Sequence, residues 1–92
     1  MIETFKSKGL KKFFVNGDSS KINPVHLNKI RRLMFWLNNI HKIEDVGFPN
    51  FGLHELKGDR TGYYAIKVSG NYRLTFRFEN GGVYDLDYED YH

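Results

Sequence analysis

Ninety-two residues allow one domain, expected to span residues 1–92, with a single core. Without cysteine there are no disulfides and no thiolate metal sites, and no apolar run approaches the length that spans a bilayer. The start Met-Ile-Glu-Thr-Phe-Lys lacks the apolar centre of a secretion signal, so a cytoplasmic location with no membrane partner is expected. The net charge of +3 is unevenly spread, because all 14 Lys and Arg lie in residues 1–78 with six acids, while residues 79–92 hold five acids. A basic body of +8 points to a polyanion or an acidic protein as partner, unless its charges are paired internally or simply solvated. The acidic end would repel a nucleic acid unless some of its groups act on it chemically.

Met1 to Phe5 reads as a short first strand at the edge of a sheet. Ser7 is a helix cap, and Leu10, Phe13 and Phe14 recur at helical spacing while Lys8, Lys11 and Lys12 face outward; Asn16-Gly17 stops the helix. Asp18 to Ile22 is a loop. Asn23-Pro24 opens the longest element, predicted over about residues 24–39. Leu27, Ile30, Leu33, Met34, Leu37 and Ile40 form its apolar stripe, with Lys29, Arg31 and Arg32 turned away. Phe35 and Trp36 widen the apolar surface and are read as core or as a packing edge toward a partner. His41 to Asn50 is a polar connection, Phe51 to Leu56 a further strand, and Lys57-Gly58-Asp59-Arg60-Thr61-Gly62 a charged, turn-rich loop.

Three segments then alternate with period two, which puts successive side chains on opposite faces of a sheet. Tyr64, Ile66 and Val68, then Tyr72, Leu74, Phe76 and Phe78, then Tyr84, Leu86 and Tyr88 make one apolar face, which the long helix would cover to give two layers. A slip of one residue would expose that whole face, so odd loops are expected at Ser69-Gly70-Asn71 and Asn80-Gly81-Gly82. That register sets Val68 opposite Tyr72, Tyr64 opposite Phe76, Phe78 opposite Tyr84 and Leu74 opposite Tyr88. The other face carries Lys67, Arg73 and Glu89 in one row and Tyr63, Arg77 and Asp85 in another. Lys67 beside Arg73 asks for an anion, which Glu89 or a ligand could supply.

Of the four histidines, His26 and His41 flank the long helix and are expected to be solvated. His54 precedes the charged loop and His92 ends the sequence; near an Arg and a Lys, two imidazoles suit general acid and base work around a phosphate. No pair has the spacing of a metal site, no glycine-rich phosphate loop is present, and no cofactor is expected. RNA supplies its own nucleophile: a base for the ribose 2′-hydroxyl, cations for the phosphate and an acid for the leaving oxygen suffice without a metal. His54, Lys57, Arg73, Asp90, Tyr91 and His92 are the right types, and Tyr91 or Tyr64 could stack on an unpaired base.

At Leu53-His54-Glu55-Leu56-Lys57-Gly58-Asp59-Arg60, at Tyr64 to Phe76 and at the closing Tyr88-Glu89-Asp90-Tyr91-His92, the chain resembles the HigB toxins of the RelE/ParE superfamily. Phe5-Lys6-Ser7-Lys8-Gly9-Leu10 extends the match to essentially the whole length. The resemblance implies an α+β, RelE-like fold with two N-terminal helices packed on one face of a twisted antiparallel sheet. It also implies a ribosome-dependent endoribonuclease that cuts mRNA in the ribosomal A site, and a HigA-type helix-turn-helix antitoxin that binds operator DNA with the toxin in complex. By position, His54, Lys57, Arg73, Asp90, Tyr91 and His92 match that family's active-site cluster. His92 or Asp90 would be the base, His54 would orient or donate a proton, Arg73 and Lys57 would hold the phosphate, and Tyr91 would place the nucleotide. Lys8, Lys11, Lys12, Lys29, Arg31 and Arg32 would grip the ribosome. Tyr64 and Tyr72 stand where relatives often carry Trp.

Two other readings stand beside this one. A toxin of the ParE branch would act on DNA gyrase without catalysis and would not need His54 with Asp90-Tyr91-His92. A module without toxicity would use the basic helices to dock an acidic peptide or nucleic acid.

Overall fold

The computed structural model describes residues 1–44 and 52–90. Helix α1, Lys8–Asn16, starts where the Ser7 hydroxyl accepts the Leu10 amide at 3.1 Å and stops at Gly17, whose φ of 73° is left-handed. Leu10 and Phe13 are buried, whereas Phe14 is 38% exposed and turns its ring to Phe5 at 5.6 Å. The second helical segment opens with a 3-10 turn, Pro24–His26, where the Asn23 side chain accepts the Val25 amide. It continues as α2, Leu27–Asn39, with Ile30, Leu33, Met34 and Leu37 buried. Phe35 and Trp36, expected in the core or at a packing edge, are 68% and 39% exposed.

Four strands, β1 (His54–Glu55), β2 (Tyr63–Ser69), β3 (Tyr72–Glu79) and β4 (Gly82–Asp90), form one antiparallel sheet in that order. Residues of α1 and α2 join Ile66, Val68, Leu74, Phe76, Val83 and Leu86 in one core, the expected two layers. The expected strand over Phe51 to Leu56 is only two residues long, and Phe51 lies outside the described residues. Met1 to Phe5 forms isolated parallel bridges, Ile2 with Val83 and Phe5 with Leu86. Those bridges seal the β4 edge.

The expected loops are corrected. Ser69 pairs with Tyr72 and Glu79 with Gly82, so both hairpins turn on two residues. At the first, Gly70 alone has a positive φ (56°); at the second, Asn80 (51°) and Gly81 (81°) both do, the pattern of a type I′ turn matched to strand twist. A two-residue loop reverses the parity the apolar faces require, and each hairpin restores it with a bulge. The register shifts between Lys67 and Ser69, leaving Val68 as the extra residue, and again opposite Phe76, where Asp85 takes a left-handed φ of 57°. Beyond that second bulge the faces of β4 exchange. Tyr84 therefore pairs with Arg77, not Phe78, and Val83 enters the core.

His26, expected in solvent, is 6% exposed. The 3-10 turn tips it inward, against the Tyr72 ring at 4.8 Å and the Tyr88 ring at 5.9 Å, with Nδ1 hydrogen-bonded to the Tyr88 hydroxyl at 2.6 Å. Burial pushes the Tyr88 hydroxyl's pKa above its usual value.

Candidate active site

Side chains at paired positions of a sheet share a face, so the register places the site. Lys67, Arg73 and Glu89 occupy one row, as expected, on the face away from the helices. His54 pairs with Ala65, and Ala65 with Thr75, which puts His54 on that same open face. The two rows stand two residues apart, about 7 Å along the strands. Ala65 and Thr75, in the His54 row, are both buried.

His54 is exposed, and its Nδ1 bonds the Gly52 carbonyl oxygen at 3.1 Å, which orients the ring. Lys57 is exposed at the start of a short 3-10 turn, Gly58–Arg60, where Gly58 has a φ of 71°. Both therefore hang from one short edge segment.

Glu89 is the electrostatic hub. Arg60 Nη1 donates to its Oε1 at 3.1 Å and Arg60 Nη2 to its Oε2 at 2.7 Å, a bidentate fork. Arg73 Nη2 donates to Oε1 at 3.3 Å, and the buried Thr75 hydroxyl donates to Oε2 at 2.7 Å. The Arg60 hydrogen bond outweighs the opposing effect of burial, with Thr75 and Arg73 adding to it, and holds the Glu89 carboxyl at about 2 against an ordinary 4.5. Arg73 thus has its anion, yet it keeps 17% of its side chain open at the edge of this cluster. A second set lies further along the same face, where the Tyr63 hydroxyl donates to Asp85 Oδ2 at 2.9 Å and Arg77 packs over the Tyr84 ring at 4.7 Å.

Sequence reasoning located Glu89 beside Arg73 but missed Arg60 as the main partner and Thr75 as the buried donor. Thr75 could have been found, since strand parity alone aims it at this face. Arg60 could not, because it arrives from a loop whose path no periodicity records.

The remaining expected residues are distributed differently. Asp90 ends β4 paired with Tyr72, a position belonging by parity to the helix-covered face, and is exposed. Tyr91 and His92 lie outside the described residues. Tyr64 stacks on Phe76 at 5.9 Å against the core, on the side opposite Arg73. Lys8, Lys11, Lys12, Arg31 and Arg32 are exposed and Lys29 is half-buried, all on the helical layer. The sheet therefore separates the basic helices from the face that carries His54 and Arg73. Among the described residues, no three His, Asp or Glu side chains gather as a metal site requires, and no helix is long and apolar enough to cross a membrane.

Comparison with known proteins agrees with this architecture. A crystal structure of a YafQ mutant from E. coli superposes with a TM-score of 0.62 at 18% identity, over 98% of this chain and 93% of that one, a likeness of fold. Endoribonuclease HigB of Proteus vulgaris is 41% identical over 92 residues, the full length of both chains. The family model that describes the RelE-like toxin HigB of type II toxin–antitoxin systems matches residues 3–92. With the helical layer, the four-stranded sheet and the sequence likeness in agreement, the chain belongs to the HigB-like toxins, RelE-like toxins of type II toxin–antitoxin systems.

Proposed function

We propose that this toxin is an endoribonuclease that cuts mRNA in the ribosomal A site, and that its partner is a HigA-type helix-turn-helix antitoxin. Membership of a type II toxin family carries an antitoxin partner with it. The nuclease reading is supported by one observation above others: His54 and Arg73 share the open face of the sheet in a chain 41% identical to Endoribonuclease HigB.

The chemistry follows from the groups. Arg73 and Lys57 stabilise charge on the scissile phosphate. His92 or Asp90 takes the proton from the ribose 2′-hydroxyl, the freed oxygen attacks the adjacent phosphorus, and the 5′-oxygen leaves with a proton. His54, oriented through Gly52, supplies that proton or orients the reacting groups. Tyr91 positions the nucleotide. No metal or cofactor takes part in these steps. Lys8, Lys11, Lys12, Lys29, Arg31 and Arg32 hold the ribosome from the helical layer, and Tyr64, half-buried against Phe76, offers a ring to the RNA. The toxin–antitoxin pair binds its operator DNA through the antitoxin, in the cytoplasm.

The test maps RNA ends after adding purified toxin to programmed ribosomes, beside mRNA alone and beside His92→Gln and Arg73→Ala. Cuts within the A-site codon that need the ribosome and both side chains are expected. Cleavage that survives both substitutions would remove this cluster. Growth arrest with no cuts would favour action on DNA gyrase, and cutting of bare mRNA would remove the ribosome from the mechanism.

A further inference from the structure

The candidate site draws on two segments that meet nowhere in sequence. His54 and Lys57 sit on the edge segment, and Asp90 ends β4, with β2 and β3 between them. The edge segment is lightly held: β1 makes two register pairs, and the backbone fixes the loop beyond it through Leu56 N–H to Tyr63 and Thr61 N–H to Gly58. One side chain of that loop spans the sheet. Arg60 reaches over Tyr63, 5.7 Å from its ring centroid, past Thr75, and closes both nitrogens of its fork on Glu89, the residue immediately before Asp90.

We infer that Arg60 is a positioning residue for RNA cleavage, acting through Glu89 to hold the His54–Lys57 segment in register with Arg73 and with the end of β4. The inference rests on the nuclease reading above. Four features carry it. The fork is bidentate, which fixes direction as well as distance. Glu89 is anchored from beneath by the buried Thr75 hydroxyl, so the arginine is tied to a fixed point. Glu89 also meets Arg73, so the same carboxylate orders a phosphate-binding group. Finally, both terminal nitrogens of Arg60 are already engaged by Glu89, which sets Arg60 apart from a group that grips the substrate.

The experiment measures kcat and KM for A-site cleavage on programmed ribosomes with wild-type toxin, Arg60→Gln, Arg60→Lys, Glu89→Gln and the Arg60→Gln/Glu89→Gln double variant, with thermal melts confirming that each is folded at the assay temperature. A misplacement near 1 Å costs about 100-fold in rate, so Arg60→Gln should lower kcat by about 10- to 100-fold with KM changed less than about 3-fold. Lysine keeps the charge but cannot fork, so Arg60→Lys should stay nearer the Gln variant than wild type. The double variant should be no worse than the poorer single one, because one link is broken either way.

Restoration of full kcat by Arg60→Lys would make the group a simple counter-charge and overturn the inference. Multiplicative losses in the double variant, or losses confined to KM, would place Arg60 on the RNA itself and overturn it too. Full kcat in an Arg60→Gln toxin beside a wild type that cuts would remove Arg60 alone. A wild type that fails to cut would remove the nuclease reading and this inference together. If Arg60→Gln melts below the assay temperature, Arg60→Lys and Glu89→Gln decide between the same outcomes.

Discussion

The His26 imidazole Nδ1 and the Tyr88 hydroxyl stand 2.6 Å apart between the start of α2 and the sheet, joining the helical layer to β4 two residues before its end. The bond is polar, and both partners are surrounded by aromatic rings. Tyr88→Phe leaves the imidazole without that partner and should cost about 1–2 kcal/mol. His26→Ala also opens a space between the Tyr72 and Tyr88 rings and should cost about 2–4 kcal/mol. Urea denaturation with an unchanged m-value is the check; a His26→Ala protein as stable as wild type would mean that the ring is not part of the core.

Glu89 makes stability depend on acid. Its carboxyl titrates at about 2 in the fold against an ordinary 4.5. A carboxylate whose pKa is depressed by folding stabilises the native state above the unfolded value, and that contribution is lost as pH falls through the folded one. The loss therefore falls between pH 4.5 and about 2. With Arg60 partly open to screening, a contribution of about 1–2 kcal/mol is expected. Urea titrations at several pH values across that window should show the decline, and Glu89→Gln should flatten it.

The β3–β4 turn needs two left-handed residues, and Asn80 is one that carries a side chain. Asparagine tolerates the left-handed region better than a β-branched residue, whose second γ substituent crowds the backbone, so Asn80→Val should destabilise by about 1–2 kcal/mol, while Asn80→Gly should stay within about 0.5 kcal/mol. Thermal melts of the pair separate the backbone effect from any role of the side chain, since both remove the amide.

The basic helices make a prediction about ionic strength. Lys8, Lys11 and Lys12 are exposed along α1, so reversing them to Glu should leave the melting temperature nearly unchanged. If they grip ribosomal phosphate, affinity should fall and the log–log salt slope of binding should shrink by about 1 for each phosphate no longer neutralised. Wild-type affinity and slope in the triple variant would release this face from that role.

Legibility follows the physics of each signal. Caps and stripes are plain in the sequence: Ser7, Asn23 and Gly17 do what their chemistry dictates, and the α2 stripe from Ile30 to Leu37 is buried as read. Strand parity correctly gives the Lys67, Arg73 and Glu89 row. It cannot distinguish a three-residue loop from a two-residue turn with a bulge, because both preserve the same faces away from the turn. That ambiguity puts Tyr84 opposite the wrong residue. His26 escapes the periodicity because a 3-10 turn rotates it off the helical stripe toward the sheet. Family likeness proposes His54 and Arg73, and the register places them on one face.

The sealed edge of β4 has a kinetic consequence. Thr4 and Asp85 are 81 positions apart, yet they bond through the Asp85 amide and the Thr4 hydroxyl, beside the Ile2 and Phe5 bridges. Hairpins β2–β3 and β3–β4 close over two-residue turns at small entropic cost, whereas the N-terminal segment must close a loop nearly as long as the chain. Loop-closure entropy therefore predicts that this contact forms late, and until then β4 presents bare amides and carbonyls to any other strand. Because the same segment runs directly into α1 through Ser7, its docking also decides where that helix comes to rest. On the same entropic grounds, the face bearing Lys8, Lys11 and Lys12 is expected to be among the last parts of the molecule to acquire its final position.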